Sequence, residues 1–471
     1  MKQIPANEIT YHPMSNGEPD IRLFWWRGGL YRAVKGEKAL FYQDLFNRGI
    51  IQTLIEKGFL VDTQLTPLQL AGYELILEHR CIPFVSYSFE WCGAMLKDAA
   101  LLICDLQVEL DQYGLTLKDP HSWNVLFDGP KPVYVDLGSI APADQYASSV
   151  GYDCFCRFTL YPLIIMSQGH ARIARWLLHD ATQGISEKEF ALLTGQVSLP
   201  LKAKHLFMGV SSRIKKVLPQ RFRRLLKSFV FSSSAAALLG VSKSPRDFWM
   251  WVRKRIEGIT IPQRTEWSEY YEHLPTLSPS NQWKAKQHSV YKVLSELRPI
   301  TVLDIGSNRG WYSQLAASLG SRVVAFDTDE GSIIKCYLDA KETNLSILPL
   351  VINFTFPSPS YGVGDKQSAS ATERLKCELV LCLSLIHHLV FKQNRNFEMI
   401  VEALAAFSEK WLLVEFIPNG DRYVSQWWSD SYSWYTLDGF IKALERRFDN
   451  IGILPSHPDP RTLLLCRRKA E

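Results

Sequence analysis

Hydrophobic and polar positions alternate along this chain with two periods, and the clearest change from one to the other lies at residues 301–313, TVLDIGSNRGWYS. Val302, Leu303 and Ile305 form an apolar strand, Gly306 and Gly310 bracket a turn, and residues 311–319 carry helical spacing. Residues 322–326 predict a second strand that ends on Asp327. Apolar strands follow at 347–352, 379–383 and 412–416, a helix at 437–446, and a final pair of strands at 450–455 and 462–466. This strand-helix alternation predicts an α/β domain built on a doubly wound, Rossmann-like sheet.

Upstream the pattern differs. Residues 24–34 read as a hairpin turning at Arg27-Gly28-Gly29, and a helix over 40–57 stops at Gly58. Apolar runs at 73–77 and 82–87 precede a long buried helix over 94–113 with Gly114 as its stop, and helices are expected at 152–166 and 171–178. The front part is therefore α+β. A Pro- and Ser-punctuated stretch at 258–281, followed by a helix over 283–297, suggests three regions: 1–200, a connector at 201–280, and 281–471.

Length and composition fit this division. A chain of 471 residues, 46% of them hydrophobic, has material for two to three packed cores. A formal charge of +5 does not by itself argue for nucleic acid. Nine lysines and arginines without an acid fall in residues 202–227, a stripe that could attract RNA or an anionic membrane surface. A solvated helix face is the preferred reading, because aromatic residues for base stacking are sparse there. Nine scattered cysteines, with no C-x-x-C, indicate reduced thiols. No secretory signal or 18-residue apolar run is evident, so a cytoplasmic protein without a membrane span is expected.

A glycine turn allows the backbone to approach a ligand closely, and an acid about twenty residues beyond it can hold ribose hydroxyls. These features alone admit a dinucleotide or S-adenosylmethionine. Asp304 directly before the turn would repel a pyrophosphate and favour an ammonium. The stretch resembles the first motif of class I S-adenosylmethionine-dependent methyltransferases. That resemblance implies cofactor contacts from Asp304, Gly306, Ser307, Asn308, Gly310, Asp327, Asn353 and Ser384. The run SLIHHL supplies His387 and His388 as candidates for proton transfer from an acceptor. Trp267, Tyr270 and Tyr271 are candidates to cover the cofactor, and Trp427, Trp428, Trp434 and Tyr435 to wall an acceptor pocket.

In the front part, LKDPHSWNVLF followed by VYVDLGS places Asp119, Asn124 and Asp136 in an order that resembles the catalytic and metal-binding loops of the protein-kinase and aminoglycoside-phosphotransferase superfamily. Lys35 is the candidate third-strand lysine, although a solvated strand-end lysine is the plainer reading. Lys118 stands where arginine is usual, and no glycine-rich phosphate loop precedes it, which favours a pseudokinase or recognition lobe over Mg-ATP turnover. With YSFEWCGAMLKDAALLICDLQ, WSEYY and FPSPSYGVG, the whole chain resembles a bacterial methyltransferase group with a kinase-like front half that includes nodulation-protein homologues. The resemblance implies methyl transfer to a small-molecule or saccharide-linked acceptor. The alternatives are a bifunctional kinase-methyltransferase, an RNA methyltransferase and a non-enzymatic cofactor-binding scaffold.

Overall fold

The computed structural model describes residues 2–13, 15, 18–145, 148–195, 244–265, 267–268 and 275–470; the basic stretch at 202–227, Tyr270 and Tyr271 lie outside them. The chain divides into two compact units: Met1–Pro83 with Tyr87–Leu126 and Pro132–Pro262, and Phe84–Ser86 with Phe127–Lys131 and Gln263–Glu471.

The first unit is α+β. Strands β1 (Thr10–Tyr11), β2 (Ile21–Trp26), β3 (Gly29–Val34), β4 (Thr63–Leu65) and β5 (Leu75–His79) form one antiparallel sheet in the order β1-β2-β3-β5-β4. Its hairpin is the predicted one: Trp26 faces Gly29, and Arg27 and Gly28 both take positive φ (49° and 79°), as a two-residue turn that matches strand twist requires. Phe24, Trp26, Tyr31, Ala33 and Ile76 bury one face. The single helix expected over 40–57 is two, α1 (Glu37–Asn47) and α2 (Ile50–Glu56), because Gly49 adopts a left-handed conformation (φ 70°) that no helix can continue through.

The long helix α3 (Gly93–Asp111) is buried around most of its circumference, with Leu96, Ala99, Ala100, Ile103, Leu106 and Leu110 fully enclosed. After it come β6 (Leu115–Leu117), β7 (Val125–Asp128), β8 (Lys131–Tyr134), β9 (Ile140–Pro142), and helices α4 (Ser148–Phe155), α5 (Tyr161–Ser167), α6 (Ala171–Leu177) and α7 (Glu187–Thr194). Helix α8 (Pro245–Glu257) falls in the stretch expected to be a connector, yet it packs within this unit. Lys97 Nζ donates to the carbonyls of Glu257 (2.9 Å) and Ile259 (2.7 Å), Arg253 pairs with Asp105, and Trp249 meets Phe155 edge-on at 5.3 Å. An amphipathic helix rich in tryptophan needs such a surface, and α3 provides it.

The second unit carries α9 (Ala285–Leu297), β10 (Thr301–Ile305), α10 (Trp311–Ser318), β11 (Arg322–Asp327), α11 (Glu330–Thr343), β12 (Ile347–Val351), β13 (Cys377–Cys382), α12 (Ile386–Phe391), α13 (Phe397–Phe407), β14 (Ser408–Phe416), α14 (Leu437–Leu444), β15 (Phe448–Pro455) and β16 (Thr462–Arg468). Seven strands form one sheet in the order β12-β11-β10-β13-β14-β16-β15, and β16 alone runs antiparallel to both neighbours. Helices cover both faces: Val290, Leu294, Leu315 and Cys336 pack on one, while Phe407 meets Phe326 at 5.8 Å on the other. The near-continuous apolar runs of the central strands follow from this double burial. Strand order reverses between β10 and β13, so the carboxyl ends of β10, β11 and β13 flank a crevice at the topological switch point.

Candidate active site

At the end of β10 the chain turns through Gly306 (φ 72°), Asn308 (φ 50°) and Gly310 (φ 74°) before α10 begins. The amides of Gly306 and Ser307 donate to the Phe326 carbonyl (2.9 and 3.1 Å), which fixes the turn against β11. A Cβ on Gly310 would lie 2.5 Å from Cys336 Sγ, and one on Gly306 would lie 3.3 Å from Leu385. Gly310 is therefore required by space as well as by φ, and Gly306 by its φ.

Two acids flank this turn. Asp304 is 3% exposed; burial pushes its carboxyl up to about 6 although Ser313 Oγ donates to it at 2.6 Å, and the neighbouring Asp327 charge adds to the rise. Asp327 is also raised by burial, while accepting hydrogen bonds from the Asn308 amide (2.9 Å) and the Asp329 amide (3.0 Å). Asp329 itself caps α11 through the Ser332 amide (2.8 Å). Ser307 Oγ is buried without a hydrogen-bond partner among the described residues. The site thus holds one buried and one partly buried carboxylate whose hydrogen bonds come from neutral donors, a surrounding that favours a cationic or hydroxyl-bearing ligand.

Two of the named residues lie further along the strand ends. Asn353, just beyond β12, is exposed, and its Oδ1 accepts from the amide and hydroxyl of Thr355 (3.0 Å each), so the side chain shapes its own turn. Ser384 (φ 56°) follows β13 and is held by a group that sequence reasoning missed. Glu415, fully buried on β14, accepts from the Ser384 amide (2.8 Å), Ser384 Oγ (2.9 Å), Lys286 Nζ (2.6 Å) and Ser456 Oγ (2.5 Å). Burial alone would raise this carboxyl, but the Lys286 charge and these hydrogen bonds outweigh it and hold it below its ordinary value. Lys286 Nζ also donates to Ser384 Oγ at 2.8 Å. No local pattern joins Lys286 to Glu415, since 129 positions separate them.

This ionic lock holds the turn into α12, which carries His387 and His388. Their rings lie 4.2 Å apart, with Trp427 stacked on His387 at 6.0 Å and Trp267 edge-on to His388 at 6.2 Å. Burial lowers His387 to about 3, and the charges of His388 and Arg461 contribute; burial and Lys392 lower His388 to about 4. Burial and the nearby cations thus favour the uncharged form of both imidazoles, the form in which a ring nitrogen can accept a proton or a hydrogen bond. His387 is 3% exposed, and its Nδ1 has no hydrogen-bond partner among the described residues. Beside it Arg461 pairs with Asp421 at 2.9 Å, and both are largely buried. Trp428 and Trp434 line the same region around Phe391 and Phe397 (6.4 and 5.0 Å), whereas Tyr435 is buried, its hydroxyl on the Ile417 carbonyl.

In the first unit the structure collects Asp119, Asn124 and Asp136. The Asn124 amide and the Tyr134 hydroxyl both donate to the Asp119 carbonyl (2.9 Å each). Asp136 accepts from the Gly138 amide (3.0 Å) and pairs with Arg32 at 3.2 Å. Lys35 is not in this cluster; it stands at the strand end, half-exposed, 3.9 Å from Asp20. Arg32 reaches in because strand residues alternate faces, and its place on β3 carries it inward. Among the described residues no three or more His, Cys, Asp or Glu side chains gather to hold a metal ion, and no helix is long and apolar enough to cross a membrane.

Strand order, the antiparallel seventh strand, the glycine turn and the acid on β11 together define the second unit as a Rossmann-like fold of the methyltransferase type. The first unit is an α+β domain. Over 458 residues, 91% of this chain and 90% of the relative, the protein is 25% identical to nodulation protein NoeA of Rhizobium meliloti (strain 1021), which bears out the resemblance to nodulation-protein homologues. No protein-family model matches the chain. Solved structures similar to it include magnesium protoporphyrin IX methyltransferase from Synechocystis PCC 6803 with bound SAM, at 15% identity, TM-score 0.28, and coverage of 41% of this chain and 88% of that one. The bifunctional kinase-methyltransferase WbdD is similar at 19% identity, TM-score 0.28, over 38% of this chain and 37% of that one. N-methyltransferase NodS from Bradyrhizobium japonicum WM9 is similar at 11% identity, TM-score 0.28, over 39% of this chain and 95% of that one.

Proposed function

We propose that the second unit transfers the methyl group of S-adenosylmethionine to a small-molecule or saccharide-linked acceptor, and that the first unit aids recognition of that acceptor. One observation carries the reading: two carboxylates, the buried Asp304 and the partly buried Asp327, flank a glycine turn at the ends of adjacent central strands. The residues present fit this cofactor. Asp304 suits an ammonium group, Asp327 suits paired ribose hydroxyls, and the unpartnered Ser307 hydroxyl and turn amides suit the amino-acid moiety. An anionic pyrophosphate would meet two carboxylates there, which speaks against a dinucleotide.

When bound, S-adenosylmethionine supplies an electrophilic methyl carbon. The chain's own task is alignment of an acceptor. Neutral His387 and His388 offer ring nitrogens that accept a hydrogen bond from an acceptor hydroxyl or amine; with values near 3 and 4 they orient that group rather than store its proton. Trp427 and Trp267 wall the same place. Titration calorimetry with S-adenosylmethionine tests the reading: binding is expected in the wild-type chain and at least about 100-fold weaker in Gly306→Arg, whose side chain would enter the turn. Equal affinity in the two proteins would overturn it.

A second reading, ATP-dependent phosphoryl transfer by a kinase-like first unit, is favoured by the five-stranded sheet that precedes the grouped Asp119, Asn124 and Asp136. Arg32 on Asp136 counts against a magnesium ion at that carboxylate.

A further inference from the structure

The first unit contains a second polar cluster beside Asp119 that the phosphotransferase pattern does not account for. Lys118, only 13% exposed at its side chain, and Lys38, at the start of α1, converge on a single carboxylate, that of Glu18. Lys38 Nζ donates to Glu18 Oε2 at 2.6 Å, and Lys118 takes Oε1. Glu18 lies in the connection between β1 and β2, whereas Lys38 comes from α1 and Lys118 from the connection that follows β6. Two ammonium groups directed at one point form an anion site, and here a carboxylate of the chain fills it.

The neighbouring acid is already balanced by a fixed cation. Arg32, 7% exposed, is pinned by His79: the Thr63 hydroxyl donates to the Val61 carbonyl (2.9 Å), so His79 Nδ1 donates to Thr63 (2.8 Å) and its Nε2 accepts from Arg32 Nε (3.2 Å). Burial, and then the Arg32 charge, keep His79 neutral in that role. Arg32 is thereby held on Asp136, and a divalent cation at Asp136 would have to displace a guanidinium locked from behind. A phosphate offers two negative charges and more acceptor oxygens than the Glu18 carboxylate it would replace between these lysines.

We propose that this unit binds a phosphate-bearing ligand without a metal ion, through Lys118 and Lys38, and that Glu18 is the internal carboxylate which the phosphate displaces. This does not depend on methyl transfer by the second unit. The test is titration of the full chain with pyrophosphate and with ADP, each in EDTA and in magnesium, using wild type, Glu18→Gln, Lys118→Met and the double variant. Glu18→Gln should bind pyrophosphate at least tenfold more tightly than wild type, with little change on adding magnesium, and Lys118→Met should remove the gain in the double variant. ADP binding more tightly than pyrophosphate would identify a nucleotide as the source of the phosphate, and equal binding would identify a simpler phosphate compound. Thermal melting shows that each variant is folded. A folded Glu18→Gln that binds no more tightly than wild type, or binding that needs magnesium, would overturn the proposal, and S-adenosylmethionine binding measured in the same samples reports separately on the second unit.

Discussion

The two units place acids at corresponding kinds of position, near strand ends and turns, and treat them oppositely. In the first, Asp136 is matched by Arg32, and Lys38 and Lys118 share Glu18, so each of these charges has a partner within the chain. In the second, the buried Asp304 and the partly buried Asp327 accept hydrogen bonds from neutral donors and are raised by desolvation, while Ser307 Oγ and His387 Nδ1 have no hydrogen-bond partner among the described residues. Buried polar groups normally find partners, so an under-satisfied cluster marks the place where a ligand completes the bonding. The self-satisfied cluster has to be opened first.

Three substitutions would break or sharpen that contrast. The largest effect is expected from Lys286→Met, which leaves the fully buried Glu415 charge unpaired and should cost the second unit about 3–5 kcal/mol. Differential scanning calorimetry should show one transition lowered while that of the first unit stays in place; an unshifted profile would mean that the pair is energetically idle. Next, Arg32→Met removes the partner of Asp136 and of His79 and should lower the stability of the first unit by about 2–3 kcal/mol, with S-adenosylmethionine affinity unchanged in calorimetry.

Asp304→Asn should act in the opposite direction. An acid whose folded value is about 6 against 3.8 in the unfolded chain binds its proton more tightly when folded, so stability falls as pH rises from about 4 to 6, and that loss persists above 6. Removing the charge should therefore stabilise the ligand-free protein by roughly 1–2 kcal/mol at pH 7.5, seen as a higher melting temperature, even as S-adenosylmethionine binding weakens. In the wild type that binding should itself decline as pH falls through 6, and the decline should be absent in the variant. A melting temperature that drops in Asp304→Asn would show that the carboxylate is stabilised by something other than a ligand.

Much of the second unit is legible in the sequence because its signals are local. Gly306 and Gly310, the apolar runs of β10 to β14 and Asp327 at the end of β11 each declare themselves within a few residues, and the switch point then follows from strand order. The first unit is harder to read. Gly49 sits inside an apolar helical pattern that conceals the break it makes, and the motif points to Lys35 instead of Arg32 because it names a residue type, while only the pleat decides which side chain faces inward. The helix that carries Trp249 resembles a connector in sequence, since an apolar stripe announces that a surface is needed without saying which one it covers.

By itself, then, the sequence determined the α/β alternation, the glycine turn and its two acids, the paired histidines and the order Asp119, Asn124, Asp136. Those depend on backbone propensity and short-range spacing, which the chain carries residue by residue. Only the tertiary structure decided what each charge meets. It brought Lys286 to Glu415 across 129 positions and Arg32 to Asp136 across 104, surrounded His387 and His388 with apolar rings and cations that favour their neutral form, and gave Asp304 a serine hydroxyl as its hydrogen-bond donor. Burial and long-range proximity set whether a side chain is charged, paired or available, and neither is written in any one stretch of sequence.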